Sequence, residues 1–146
     1  MKNECISKMK TLWAQIDSNQ HLRHSAYGDI AASGRLELFE MARFSMDLLT
    51  KENIGPILFH EETWYKKEIH GVQNIVAKSY LKRIERHFSK WSMVTEIYRE
   101  DGELAAIVDV QGAWMDLKLR KIADLPEKFR APFLELPKTI DFQLID

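Results

Sequence analysis

The chain has one cysteine, Cys5, no excess of basic over acidic residues, and no apolar run approaching the roughly 20 residues that a membrane span needs. A lone cysteine excludes an internal disulfide, which fits a reducing compartment. Lysine and arginine together number 21 against 22 aspartates and glutamates, a formal net charge of −1. Such a balance carries no electrostatic footprint for DNA or RNA and argues against nucleic acid as a partner. The opening MKNECISKMK lacks the apolar core of a secretory signal, so a cytoplasmic protein without membrane association is expected. No linker, internal repeat or low-complexity stretch divides the sequence, and residues 1–146 are read as a single domain. A chain of this length buries roughly 68–70% of the surface exposed when unfolded. Its composition, 45% hydrophobic and 29% charged, is that of an ordinary globular domain.

What is present is organised around residues 13–39, WAQIDSNQHLRHSAYGDIAASGRLELF. A polar turn carrying Asp17, His21 and His24 runs into a long apolar segment. Asp17-Ser18-Asn19-Gln20 favours a turn because Asp and Asn side chains bond nearby backbone N–H groups. From Ser25, a suitable N-cap, helical spacing of Tyr27, Ile30, Ala31, Gly34, Leu38, Met41 and Leu48 predicts a helix through about Leu49. Leu36, Phe39 and Phe44 extend its apolar surface to other sides, which predicts a helix wrapped by other structure. The small residues 31–34 would let neighbouring backbone approach. The first turn of such a helix presents N–H groups without intrahelical partners, a place suited to a developing oxyanion.

The flanking segments read as strands. Residues 6–16 show partial alternation. Gly55-Pro56 stops the helix, and Ile57 to Ile69 alternates Phe59, Thr63 and Tyr65 against Leu58 and Trp64 until Gly71. Strands follow over Asn74 to Ile84, Phe88 to Arg99 and Glu103 to Leu117. Asp101-Gly102 reads as a two-residue hairpin with positive φ at both positions, and Gly112 marks a bulge or a close approach. Pro126 opens a short helix to about Leu136, and the tail KTIDFQLID is extended. One strand, one long helix and four antiparallel strands make an α+β layout in which a curved sheet wraps a central helix.

In order and spacing, Asp17-x-x-x-His21, Tyr27, Arg35, Ile54-Gly55-Pro56, Asp101-Gly102 with Ala105-Ala106, Trp114-x-Asp116 and Arg120-Lys121 resemble the hotdog-fold thioesterases of the 4-hydroxybenzoyl-CoA thioesterase-like branch. The likeness runs from about residue 6 to 137. It implies the hotdog fold, assembly as a homodimer or homotetramer with active sites at the dimer interface, and an acyl-CoA or acyl-carrier-protein thioester as substrate. It also implies that neither a metal nor another cofactor is needed. By position Asp17 matches the catalytic carboxylate, and His24, at the entry to the helix, matches the region whose backbone N–H polarises the thioester carbonyl. The chain departs from its relatives in two places: they often carry Asn at the position of His24, and some place a catalytic Glu on the helix where this chain has Ser33 and Gly34.

Each candidate has a plainer alternative. Asp17 is either a turn former or the group that deprotonates water or attacks the carbonyl. Thiolate leaves readily, so no strong general acid is demanded, whereas an ordinary aspartate is a weak base. His21 either orients water and the thioester or is structural. Asp17, His21 and His24 fall short of a metal site, because no further ligand cluster stands out. Tyr27 is a packing residue or a substrate contact. His60, Glu61 and Thr63 are exposed strand residues or, from the other subunit, substrate-binding residues. Lys66-Lys67, Lys82-Arg83 and Arg120-Lys121 are solvated surface or contacts to CoA phosphates, and Trp64, Trp91 and Trp114 are core or the lining of an acyl tunnel. The expected function is thioester hydrolysis. A hotdog domain that binds an acyl thioester without cleaving it is the alternative, and a hydratase on the same fold is a third reading.

Overall fold

The computed structural model describes residues 4–146. In chain order it contains β1 (Cys5–Lys10), a 3-10 turn (Trp13–Gln15), α1 (Ala26–Met41), α2 (Met46–Lys51), β2 (Ile54–Tyr65), β3 (Asn74–Glu85), β4 (Lys90–Tyr98), β5 (Leu104–Asp116), β6 (Lys121–Ile122), α3 (Glu127–Leu134) and β7 (Lys138–Ile145). The sheet runs β1-β3-β4-β5-β2 with every neighbour antiparallel. β6 pairs with β5, and β7 pairs in parallel with the end of β3 beyond the stretch that β1 covers. β2 therefore closes one side of the sheet, and among the described residues no strand lies beyond it.

Alternation in the central strands puts Ile75, Ala77, Ser79 and Leu81 of β3, Trp91, Met93, Thr95 and Ile97 of β4, and Ala106, Val108 and Val110 of β5 into the interior. The sheet curls round α1, which packs on β1, β3, β4 and β5 and buries Ala26, Tyr27, Ile30, Ala31, Gly34, Arg35, Leu38 and Phe39. At Gly34 an added Cβ would stand 2.6 Å from Ser79 Oγ, which is bonded to Thr95 Oγ1 at 2.9 Å. Only a bare backbone fits over that pair.

Several expectations are corrected. The helix is not wrapped on all sides: Ala32, Ser33, Leu36 and Glu37 are exposed, because one sheet encloses only about half of its circumference. Nor does it run to Leu49. Phe44 N–H bonds Phe39 O and Arg43 N–H bonds Glu40 O, both at 2.9 Å, the two bonds of a Schellman stop. Arg43 takes the left-handed position at φ 63°, where glycine is the usual signal. Ser45 then caps α2 by accepting from Leu48 N–H at 3.1 Å. Ser25 stands before α1 but makes no capping bond; its hydroxyl accepts from Arg23 Nε at 2.8 Å. The first strand ends at Lys10, after which Thr11 Oγ1 donates to Gly71 O and accepts from Gln73 N–H. β2 starts at Ile54 and ends at Tyr65, and it tolerates Pro56 because it is an edge strand.

In the β4–β5 hairpin only Gly102 has positive φ, 85°. Gly102 N–H bonds Arg99 O, and Arg99 N–H bonds Glu103 O, so the loop has three residues with glycine in the left-handed place. At Gly112 the backbones do approach closely: an added Cβ would meet Ile57 O at 2.4 Å and the Trp91 ring at 2.5 Å. The register shift itself lies on β2, between Leu58 and His60. It takes Phe59 out of the alternation, so Glu61, Thr63 and Tyr65 pair opposite Val110, Val108 and Ala106. Trp91 and Trp114 belong to a buried aromatic cluster with Phe39, Phe44, Phe129 and Phe133, whereas Trp64 is exposed. Each fully buried ring contributes about 1.5–3 kcal/mol. The cluster fills the end of the core away from the start of α1.

Candidate functional site

The turn that carries Asp17 is closed on both sides. Ile16 and Leu22 form a bridge, and so do His21 and His70. Asp17 N–H bonds His21 O at 2.9 Å, Gln20 N–H bonds Asp17 O at 3.0 Å, and Gly71 N–H bonds Gln20 O at 2.7 Å. Gln20 takes φ 67° to make the turn. Arg23 ties the far side through its N–H to Gln15 O at 2.8 Å and through its guanidinium to Ala14 O. Within this frame Asp17 Oδ1 accepts from Asn19 N–H at 2.8 Å and from His21 N–H at 3.1 Å. The aspartate thus is a turn former, and the same bonds orient its carboxylate while leaving Oδ2 outside them. Preorganisation of this kind is what a reacting group requires.

An open cavity of about 430 Å³ is lined by Asp17, His21, Leu22, His24, Tyr27, Tyr65, Lys66, Lys67 and Glu68. Four of the residues singled out in the sequence, Asp17, His21, His24 and Tyr27, thus come together. His24 stands in the turn just before α1, closed by Ala26 N–H to Arg23 O at 3.0 Å, and its carbonyl accepts a long bond from Tyr65 Oη at 3.4 Å. Behind it the first-turn N–H groups of α1 have no carbonyl a turn earlier in the helix to bond. Tyr27 and Tyr65 meet edge to face at 5.1 Å between ring centroids. Burial, above all, pushes the Tyr27 phenol up; a backbone bond from Ile69 opposes this, and Tyr65 and Glu68 add to the rise. His21 Nε2 lies 3.8 Å from Glu68 Oε1, and its ring meets His70 at 5.8 Å.

His60, Glu61 and Thr63 do not line this cavity. They sit farther along β2, His60 and Glu61 exposed and Thr63 half-buried. Glu61 reaches back over its own subunit's helix, with Oε1 2.9 Å from where a Cβ on Gly28 would be. Tyr65 and Glu68 are lining residues that sequence reasoning left unassigned. Tyr65 was legible as a strand residue, but its meeting with Tyr27 spans a long stretch of sequence and a sheet edge. Of the three basic pairs only Lys66-Lys67 reaches the site. Lys67 pairs with Glu103 at 3.5 Å. Lys82 is bound to Asp109 at 2.7 Å and Arg83 to Glu85 at 3.7 Å, and Arg120 and Lys121 lie at the start of β6, outside the cavity lining. Among the described residues no group of three or more His, Cys, Asp or Glu side chains is placed to hold a metal ion, and no helix is long and apolar enough to cross a membrane.

The family model described as the thioesterase-like superfamily matches residues 11–133. No curated protein matches the chain. Among solved structures the chain is similar to a DHNA-CoA thioesterase from Staphylococcus aureus, with TM-score 0.83 and 19% identity over 90% of this chain and 89% of that one. It is similar to a 1,4-dihydroxy-2-naphthoyl-CoA thioesterase from Synechocystis at TM-score 0.79 and 13% identity, over 93% and 99% of the two chains. A third likeness is to a hypothetical protein from Staphylococcus aureus described in complex with CoA, at TM-score 0.82 and 17% identity, over 96% and 89%.

Proposed function

The chain belongs to the thioesterase-like superfamily and has its hotdog architecture, and we propose that it hydrolyses an acyl-CoA or acyl-carrier-protein thioester with Asp17 as the reacting carboxylate. The observation that carries this reading is the oriented carboxylate: two backbone N–H groups hold Asp17 Oδ1 at the wall of an open cavity that also meets the start of α1. Water and the thioester give a carboxylate, a thiol and a proton. Asp17 Oδ2 either takes the proton from the attacking water or itself attacks the carbonyl, forming an anhydride that water then opens. The carbonyl oxygen, as it becomes an oxyanion, faces N–H groups between His24 and the first turn of α1, which supply fixed positive ends without reorganisation. Thiolate is a good leaving group, so no acid is required of His21. Its distance to Glu68 fits a positioning role for His21. Lys66 and Lys67, in the lining of the cavity, suit the phosphates that CoA and a carrier's prosthetic arm share.

The working protein is a dimer or a larger homo-oligomer in this reading. Among the described residues β2 has an unpaired edge, and it exposes Leu58, Phe59, Trp64 and Tyr65. An unpaired edge of this length is a template for pairing with another strand, and a second copy set against it would wall the open side of the cavity. Tyr27 contacts substrate from the same subunit, and His60 and Thr63 complete the pocket across the interface. The test is thiol release from a panel of acyl-CoAs, with Asp17→Asn beside the natural protein. Hydrolysis that survives this substitution unchanged would remove Asp17 from the mechanism; tight binding of thioesters with no turnover would make the protein a thioester-binding module. Label found in the Asp17 carboxylate after a single turnover in ¹⁸O-labelled water establishes attack by Asp17, with water opening the anhydride at the aspartyl carbon.

A further inference from the structure

Tyr65 is the last residue of β2 and lines the cavity that Asp17 and His24 also line. It pairs opposite Ala106 of β5, just as Thr63 and Glu61 pair opposite Val108 and Val110. Those three β5 residues are buried in the interior, and directly opposed residues share a face of the sheet, so the Tyr65 ring stands on the side that α1 occupies. Its backbone is fixed immediately afterwards. Lys66 N–H and Lys67 N–H both donate to Ala105 O, at 2.7 and 3.0 Å, and turn the chain out of the strand. The ring is fixed as well, edge to face with the buried Tyr27.

The hydroxyl is held far less firmly than the ring. Among the described residues its one hydrogen bond goes to His24 O at 3.4 Å, well beyond the roughly 2.5–3.0 Å that hydroxyl bonds span. Tyr65 is 55% exposed, so an entering substrate reaches the hydroxyl without moving other parts of the protein. The other donors around the cavity are differently placed. The Tyr27 phenol is buried and engaged with the Ile69 backbone, His21 Nε2 faces Glu68 at 3.8 Å, and Lys67 pairs with Glu103. Tyr65 thus offers an O–H donor on a ring of fixed position, resting loosely on a carbonyl oxygen two residues ahead of Ala26, where α1 begins. That places the hydroxyl at the same end of the cavity as the first-turn N–H groups, which have no intrahelical partners.

We infer that Tyr65 is a further catalytic residue, whose hydroxyl donates a hydrogen bond to the thioester carbonyl oxygen and to the oxyanion that forms from it, beside the backbone donors at the start of α1. The hydroxyl gives up a long bond to a neutral acceptor and gains one to an oxygen acquiring negative charge, and bonds to charged acceptors are shorter and stronger. When an oxygen of water or of Asp17 bonds to the carbonyl carbon, the π pair of the C=O bond moves to its oxygen. On collapse that pair returns, the C–S bond breaks, and the thiolate leaves with its electrons and takes up the proton that water released. Tyr65 keeps its own proton throughout; it stabilises the charge and transfers nothing. The inference rests on the thioester-hydrolase reading for the place of the carbonyl at the start of α1.

The experiment compares the natural protein with Tyr65→Phe, which keeps the ring and its contact with Tyr27 and removes only the hydroxyl. The substrates are hexanoyl-CoA and benzoyl-CoA, followed by thiol release. For the thioester that is cleaved, kcat is expected to fall by about 100-fold, as on loss of one oxyanion donor, while KM stays within about threefold. The melting temperature should not change, because a long, exposed hydrogen bond contributes little. A merely structural role would instead lower the melting temperature and disturb KM together with kcat. A kcat unchanged by Tyr65→Phe overturns the assignment and leaves the hydrolase reading standing. A second readout needs no turnover: the infrared stretch of the thioester carbonyl, labelled with ¹³C and bound to Asp17→Asn. Adding Tyr65→Phe to Asp17→Asn is expected to move this stretch to higher frequency, as a carbonyl does on losing a donor. That shift supports Tyr65 even where thioesters bind without being cleaved and the hydrolase reading has failed; a stretch that does not move overturns the assignment, whatever happens to kcat. A protein that neither cleaves nor binds either thioester overturns both readings.

Discussion

At the scale of single residues, Asp17 illustrates how one carboxylate serves two ends. Its Oδ1 is the acceptor that closes the turn, and Asn offers the same acceptor. Asp17→Asn is therefore expected to keep the fold and melting temperature while kcat for thioester hydrolysis drops by about 100-fold or more, read by thiol release and by circular dichroism on the same preparation. Asp17→Ala also removes the turn acceptor and loses about 1 kcal/mol of stability besides, as a lost hydrogen bond does. Asp101 provides a pH-dependent counterpart far from this chemistry. Hydrogen bonding to the Arg99 side chain, and then to Glu103 N–H, holds its carboxyl down at about 2, below the unfolded value of about 3.9. A folded pKa below the unfolded one stabilises above the unfolded pKa, and that contribution disappears as the pH falls towards about 2. The urea midpoint of the natural protein should exceed that of Asp101→Asn at about pH 6, with the gap closing between about pH 4 and 2.

Among the elements, β5 and its neighbours are positioned by the bare face of Gly112, where Ile57 O and the Trp91 ring leave no room for a methyl group. Gly112→Ala must displace backbone, and overpacking of this kind costs about 1–3 kcal/mol; equilibrium urea denaturation of the two proteins should show it. The stop at the end of α1 has a different character. Arg43 holds the left-handed position that glycine occupies at lower cost. Arg43→Gly is expected to leave the stop in place and to be neutral or to stabilise by a few tenths of a kcal/mol up to about 1, measured in the same denaturation series. That stop matters for the site, because it turns the chain so that Phe44 enters the aromatic core and anchors α1 from behind.

For the whole molecule the open edge of β2 is decisive. With Leu58, Phe59, Trp64 and Tyr65 exposed, the proposed assembly makes a definite prediction: sedimentation velocity should find a dimer or larger species, and Phe59→Glu with Trp64→Glu should shift it to monomer. Because the partner is to wall the cavity, the monomeric variant should lose most of its thioesterase activity while keeping its secondary structure by circular dichroism. A monomer of full activity would place the entire site in one subunit.

The order of elements, the α+β class and the family likeness were legible in the chain itself. Helical and alternating periodicity record which face of an element is buried, and Asp17-x-x-x-His21 with Tyr27 recorded a local turn leading into a helix. The end of α1 was hidden because its stop uses Arg43, whose left-handed backbone leaves no mark on a periodic apolar pattern. The extent of β2 and its register shift were hidden too, since an edge strand with one solvated side alternates only loosely. What tertiary structure alone decided is proximity across long separations: Tyr65 against Tyr27, Glu68 beside His21, Glu61 over Gly28, and Arg35 buried with an unsatisfied Nη1. Periodicity reports a face and a spacing, but it carries no information on which strand the curl of a sheet brings to which turn of a helix.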